Sequence, residues 1–167
     1  MGSLFTGMFI KNFDGDISNW DVSNVKDMSM MFRYTKFSGK NSDLSKWNVS
    51  NVTNMMAMFE GCPFNGNLSN WDVSNVTNMA AIFCKTNFDG NIENWNIAKV
   101  ENMYHIFYQS PLEKNPPKWY NSKKLQICES FDFDSVNKQK NTINVYNEID
   151  RIKYIIANNE PLNDIQY

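Results

Sequence analysis

Five tryptophans, Trp20, Trp47, Trp71, Trp95 and Trp119, are spaced by 27, 24, 24 and 24 residues. Methionine keeps the same phase at Met1, Met28, Met55, Met79 and Met103. Phenylalanine follows four residues later at Phe5, Phe32, Phe59, Phe83 and Phe107. Three residue types holding one period of this length mark a repeat architecture. This limits the fold more than any other property of the chain. A unit of 24 residues cannot enclose a core alone, so each copy must bury its apolar face against the next.

The unit is clearest in "LSNWDVSNVTNMAAIF" at 68–83. Its apolar positions, Leu68, Trp71, Val73, Val76, Met79, Ile82, Phe83 and then Phe88, are separated by 3, 2, 3, 3, 3, 1 and 5 residues. The gap of two at Trp71–Asp72–Val73 predicts a strand, and the gaps of three from Val76 to Ile82 predict one or two turns of α- or 3₁₀-helix. "FNGN" at 64–67 and "FDGN" at 88–91 follow. There glycine is expected to supply the positive φ of a reversal. Each unit thus reads strand, short helix, turn. Stacking would pair the strands about 4.8 Å apart. Trp20, Trp47, Trp71 and Trp95 would form one internal column, and the methionines and phenylalanines two more. Two units are three residues longer, after Gly39 in "SGKNSDLSKW" and before Asp14 in "FTGMFIKNFDG". Both additions fall in the return segment and are expected to bulge outward without shifting the register.

The phrase "WDVSNVTNM" with its following "MF" and "FNGN" resembles the BspA-like leucine-rich repeat family, over about residues 1–120. Similar tryptophan-rich repeats occur in surface proteins of bacteria and mycoplasmas, in protist parasites and in large DNA viruses. The resemblance implies an α/β, right-handed solenoid of leucine-rich-repeat type, one strand and one short helix per repeat. Trp71 and Val73 would take the places of strand leucines, and Phe83 would face the core from the helix. It implies protein binding, often adhesion, and carries over no catalytic residue. After Phe107, "PLEKNPPKWYNSKKL" keeps Trp119 but loses the glycine turn and the asparagines, so a distorted end turn is expected there.

Residues 121–167 differ in character and are expected to form a C-terminal cap. Lys123–Ile127 reads as a final edge strand and 131–141 as a polar loop. Val145, Ile149, Ile152 and Ile156 share one helical face near 143–158. Thr142 would cap that helix and Pro161 would stop it. The helix would cover the last repeat, which otherwise exposes an apolar edge; the alternative is a partner-binding helix. At the other end Met1 starts in mid-unit, which leaves edge association, dimerisation or a truncated chain open.

Two rows should point outward from the strands. One is Asp21, Asn48, Asp72 and Asn96; the other is Asn19, Lys46, Asn70 and Asn94. They form the candidate partner-binding face. The competing reading is a solvated face whose Asn, Asp and Ser side chains cap the backbone of tight turns. Asn24, Asn51 and Asn75 are expected to form an amide ladder between adjacent copies, interrupted by Lys99. Trp47, Trp71 and Trp95 are expected in the core, and Trp119 is the best candidate for partial exposure.

Other chemistry finds little support. The formal charge of −2 and pI near 5.4 give no electrostatic case for nucleic acid or an anionic membrane. Cys62, Cys84 and Cys128 form no CxxC and read as packed thiols, and His105 stands alone. The Asp21 row is only half Asp and lacks EF-hand spacing, so no metal is expected. Four sequons, at Asn48, Asn51, Asn67 and Asn75, read as by-products of the repeat. Gly2 formally fits a myristoylation motif, but it already belongs to a repeat. No phosphate loop, nucleophile pair or cofactor motif is present; a ligand site in 108–140 would need convergent carboxylates. No apolar run is long enough to span a membrane.

The expected function is a non-enzymatic protein-interaction module, such as an adhesin or a host-interaction protein, acting through the outward face and the inserted loops. The alternative is a structural component that self-associates through an open N-terminal edge. The missing signal peptide favours a cytoplasmic setting, that of a host cell for a viral protein, whereas the bacterial resemblance favours the cell surface.

Overall fold

The computed structural model describes residues 12–121 and Lys123. The chain divides into two units, Met1–Lys123 and Lys124–Tyr167. The second lies outside the described residues, and with it the expected loop and cap helix and all but the first residue of the expected edge strand.

Within the first unit the period becomes a stack of coils: 17–43, 44–67, 68–91 and 92–115. These coils are not the strand-and-helix units expected. Among the described residues there is no sheet; isolated parallel bridges link Asp27, Asn54, Asn78 and Asn102. Among the described residues helix is confined to two 3₁₀ segments, Leu44–Lys46 and Pro111–Glu113, to residues 119–121 and to Lys123, which is helical and not the start of the expected edge strand. The architecture is therefore not an α/β leucine-rich-repeat solenoid.

The gap of three explains the difference, because a tight i→i+3 turn satisfies it as well as a helix does. In the third coil Trp71 N–H donates to Leu68 C=O, Val76 to Val73, Ile82 to Met79 and Cys84 to Ala81, at 2.9–3.2 Å. The end residues of these turns, such as Leu68 and Trp71, lie mostly inside, whereas the corners range from exposed Asn70 to buried Ala80, Ile82 and Phe83.

The backbone ladder between coils lies where helix was expected, not at the Trp–Val segment. Met28, Met30, Phe32 and Tyr34 donate to the carbonyls of Asn54, Met56, Met58 and Glu60 at 2.8–2.9 Å. Met55, Ala57, Phe59 and Gly61 repeat this toward Asn78, Ala80, Ile82 and Cys84, and Met79, Ala81, Phe83 and Lys85 toward the fourth coil. Thr53 and Asn54 donate the opposite way to Lys26 C=O, and later coils copy this at Thr77 and Glu101. Turning and pairing together require left-handed backbone at two places per coil. Met30 and Tyr34, Ala57 and Gly61, Ala81 and Lys85, and His105 and Gln109 have φ between 53° and 65°. Only one of these eight is glycine, although the conformation favours it.

The core is two ladders of rings beside an indole column. Phe32, Phe59, Phe83 and Phe107 stack at 5.6, 6.0 and 6.2 Å between centroids. Phe37, Phe64 and Phe88 form the second ladder at 5.8 and 6.0 Å. Within a coil the two ladders touch at 4.1 Å. Trp47 and Trp71 stack at 6.5 Å, 4° from parallel. Trp47, Trp71 and Trp95 are buried as expected, whereas Trp20 is 38% exposed; Trp119 is half-buried.

The glycine turns also differ from expectation. Gly66 and Gly90 are not in the positive-φ region. They are small because the ring two residues earlier folds over them: a Cβ at Gly66 would meet Phe64 at 2.8 Å, and one at Gly90 would meet Phe88 at 2.8 Å. The insertion after Gly39 bulges only in part. Lys40 and Asn41 are exposed, but Ser42 is buried. Its hydroxyl accepts from Ile17 N–H at 3.1 Å and donates to Gly15 C=O at 2.8 Å. The extra residues thus stitch one coil to the last, and the columns stay in phase.

Candidate binding surface

All eight positions expected to face a partner, Asn19, Asp21, Lys46, Asn48, Asn70, Asp72, Asn94 and Asn96, are exposed. Half of them also serve the backbone. Oδ1 of Asp21, Asn48, Asp72 and Asn96 accepts the N–H two residues on, from Ser23, Ser50, Ser74 and Ala98, at 3.0–3.2 Å. These are Asx turns that set up the following tight turn. Asp16, Asp43, Asn67 and Asn91 do the same ahead of the Leu–Trp turn. Hydrogen bonds from Ser23 and Ser74 hold the Asp21 and Asp72 carboxyls below the usual carboxylate range. The second row, Asn19, Lys46, Asn70 and Asn94, occupies turn corners, where Lys46 lies 3.6 Å from Asp43.

The asparagine ladder runs backward along the stack. Asn51 Nδ2 donates to Ser23 C=O and Asn75 Nδ2 to Ser50 C=O, both at 2.8 Å. At Lys99 the amide-to-carbonyl pattern breaks, as expected: Nζ bonds to the side-chain Asn75 Oδ1 at 2.6 Å, and one coil on Lys123 Nζ reaches Ala98 C=O at 2.8 Å. Lysine thus takes the place of the amide at the carbonyl only at Lys123.

A second surface feature escaped the sequence reading. The two positions after each core phenylalanine are Arg33–Tyr34, Glu60–Gly61, Cys84–Lys85 and Tyr108–Gln109. They differ in every copy, and the ladder aligns them across the stack. Arg33 Nε lies 2.6 Å from Glu60 Oε2, Tyr34 Oη donates to Glu60 Oε1 at 2.8 Å, and the Arg33 guanidinium sits 5.0 Å from the Tyr34 ring centre. Tyr34 lies across Gly61, where its ring leaves no room for a Cβ. In the fourth coil the His105 ring stacks with Tyr104 at 3.9 Å and with Tyr108 at 4.8 Å. Tyr34 is 47% exposed and Tyr104 38%. Lining up the copies and asking where they disagree would have found these residues.

Cys62 and Cys84 belong to the scaffold, and Cys128 lies outside the described residues. Cys62 stands where other coils place Thr35, Thr86 and Ser110, and like them it donates to the carbonyl of the phenylalanine three residues earlier, here at 3.0 Å. Burial pushes the Cys62 thiol up to about 12 and that of Cys84 up to about 11. Among the described residues no group of three or more His, Cys, Asp or Glu could hold a metal ion. Among them, too, no helix is long and apolar enough to cross a membrane.

The model of one protein family, described as "Mycoplasma protein of unknown function, DUF285", matches residues 1–62 and 34–146. No curated protein and no solved structure matches the chain.

Proposed function

This chain belongs to the DUF285 family, and from that premise we propose that it is a non-enzymatic protein-interaction module. The observation that carries the reading is two exposed tyrosines at positions where the copies differ: Tyr34, aligned with Gly61, Lys85 and Gln109, and Tyr104, aligned with Ser29, Met56 and Ala80. Tyrosine and arginine are the residues most enriched where proteins bind one another. The Arg33–Tyr34–Glu60 cluster is held in place by its own bonds, so little side-chain freedom is lost on binding. The regular rows from Asn19 to Asn96 would flank it as a polar rim, with the Lys40–Asn41 corner as an added contact. The repeats keep their resemblance to BspA-like surface proteins, which supports an adhesive or host-directed role.

A quantitative crosslinking capture from cell extracts tests this with three proteins: the parent, a Tyr34→Ala/Tyr104→Ala double variant, and a variant carrying Ala at Asp21, Asn48, Asp72 and Asn96. Loss of the same partner from the double variant, with an unchanged fold, is expected. Capture unchanged in both variants would end the proposal. A second reading, self-association, is favoured by the exposed indole of Trp20. A mass by light scattering that stays monomeric on concentration would remove it.

A further inference from the structure

Asn65–Gly66 is the sole Asn-Gly pair in the chain. The same corner reads Asp14–Gly15 and Asp89–Gly90 in other copies. Asn65 is exposed. Its N–H is bonded to Ser38 C=O at 3.1 Å, and its Oδ1 accepts the Asp89 N–H at 3.2 Å. The Gly66 N–H makes no hydrogen bond among the described residues. Glycine is required there because the Phe64 ring covers it, so residue 66 carries no side chain of its own beside its nitrogen.

We propose that Asn65 is a self-modification site, where the Gly66 nitrogen cyclises onto the carboxamide and the fold directs hydrolysis to aspartate. The Gly66 amide gives its proton to solvent base, and its nitrogen forms a bond to Asn65 Cγ. The Cγ–Nδ2 bond breaks, and the nitrogen leaves as ammonia after taking a proton from water. A second water adds at Cγ of the cyclic imide; the new Cγ–N bond breaks and Gly66 recovers its N–H. One water is consumed and one ammonia released, with no change of oxidation state. The Asp89 N–H already points at the oxygen that gains charge when Cγ becomes tetrahedral, the position where a fixed donor lowers a barrier.

The fold also distinguishes the two products. Opening the imide at its other carbonyl would give isoaspartate and route the main chain through the side chain. That would lengthen the chain between Phe64, fixed between Phe37 and Phe88, and Gly66 under its ring. Aspartate keeps both the backbone and the accepting oxygen. Asp14 shows the fit, since its carboxylate accepts the Ser38 N–H at 2.9 Å and the Ser38 hydroxyl at 2.9–3.0 Å across the same step of the stack. The reaction adds a negative charge to a corner that carries Asp14 and Asp89, without disturbing the ladder.

The test incubates the folded chain at mildly alkaline pH beside the same chain in denaturant, followed by peptide mapping that resolves isoaspartate. In the folded protein, conversion at Asn65 should exceed that at every other asparagine, with aspartate the major product; in denaturant, isoaspartate should predominate. Asn65→Asp should melt with the parent. An intact Asn65 in the folded protein under conditions that convert the denatured chain would overturn the proposal. So would isoaspartate as the main folded-state product, or a clear drop in the melting temperature of Asn65→Asp.

Discussion

The Trp71 indole Nε1 donates to the Leu44 carbonyl oxygen at 2.8 Å, one coil back, and that oxygen also accepts the Trp47 N–H at 3.1 Å. The pattern recurs from Trp47 to Ile17, Trp95 to Leu68 and Trp119 to Ile92, at 2.9–3.1 Å. The repeat uses tryptophan because it fills a column and also fastens adjacent coils. A leucine would do only the first.

Trp71→Phe should therefore cost more than lost ring area. The missing bond contributes about 0.5–1.5 kcal/mol, and the smaller ring leaves a void, for roughly 2–3 kcal/mol in all. Urea unfolding at constant m-value measures this. A loss below about 0.5 kcal/mol would mean that the indole bond is incidental.

Lys85 sits at φ 56° in a position that Gly61 fills in the preceding coil. Lys85→Gly removes left-handed strain of about 1 kcal/mol and should raise the melting temperature by a few degrees. Lys85→Val should lower it, because a β-branched side chain tolerates this region least. Calorimetry on the two variants would expose the error if both moved in the same direction.

Serine hydrogen bonds lower the carboxyls of Asp16, Asp21, Asp43 and Asp72. A group whose folded value lies below its unfolded one stabilises above the unfolded value, near 4, and loses that contribution as pH falls through the folded value. Stability should thus be flat near neutrality and decline below about pH 4. Asp72→Asn should be neutral at pH 7, since Asn48 and Asn96 hold the same turn, and should soften the acid decline. Asp72→Ala should cost roughly 0.5–1 kcal/mol at neutral pH. Melting curves at pH 3 and pH 7 separate these; an Asn variant as damaged as the Ala variant would refute the Asx-turn role.

Cys62 and Cys84 are buried, with thiols near 12 and 11. At pH 8 neither should react with a thiol reagent until the protein is denatured. Cys62→Thr should be neutral or slightly stabilising, because Thr35 and Thr86 make the same bond and also accept the N–H of Phe37 and Phe88 at 3.2–3.3 Å. Prompt labelling of Cys62 in the folded state would contradict this.

Phase was legible in the sequence and conformation was not. The spacing of Trp71, Met79 and Phe83 identified the inward residues, because burial follows period whatever backbone carries it. Val73–Val76 and Met79–Ile82 looked like strand end and helix because a gap of three does not distinguish helix from tight turn. The positive φ at Ala57 and Ala81 has no sequence signal, as alanine rarely adopts it. Gly66 was misassigned for a related reason. Phe64 folding over it is a tertiary contact, whereas positive φ is the usual local reason for glycine. On the surface, repetition drew attention to Asp21, Asn48, Asp72 and Asn96, which set up turns; Arg33, Tyr34 and Glu60 went unnoticed because they break the pattern.

The ladder from Met28 to Lys85 also has an electrical consequence. Its peptide groups share one orientation, with N–H toward later coils and C=O toward earlier ones. The opposed amides at Thr53 and Thr77 subtract only part of the sum. Each peptide carries about 3.5 D, so the described stack has a positive pole at its late end, the reverse of an α-helix. Gln109, the last donor of the series, meets a carboxylate there: Glu113 Oε2 accepts its N–H at 3.0 Å. An acidic side chain thus closes this pole, as one would at a helix N-terminus.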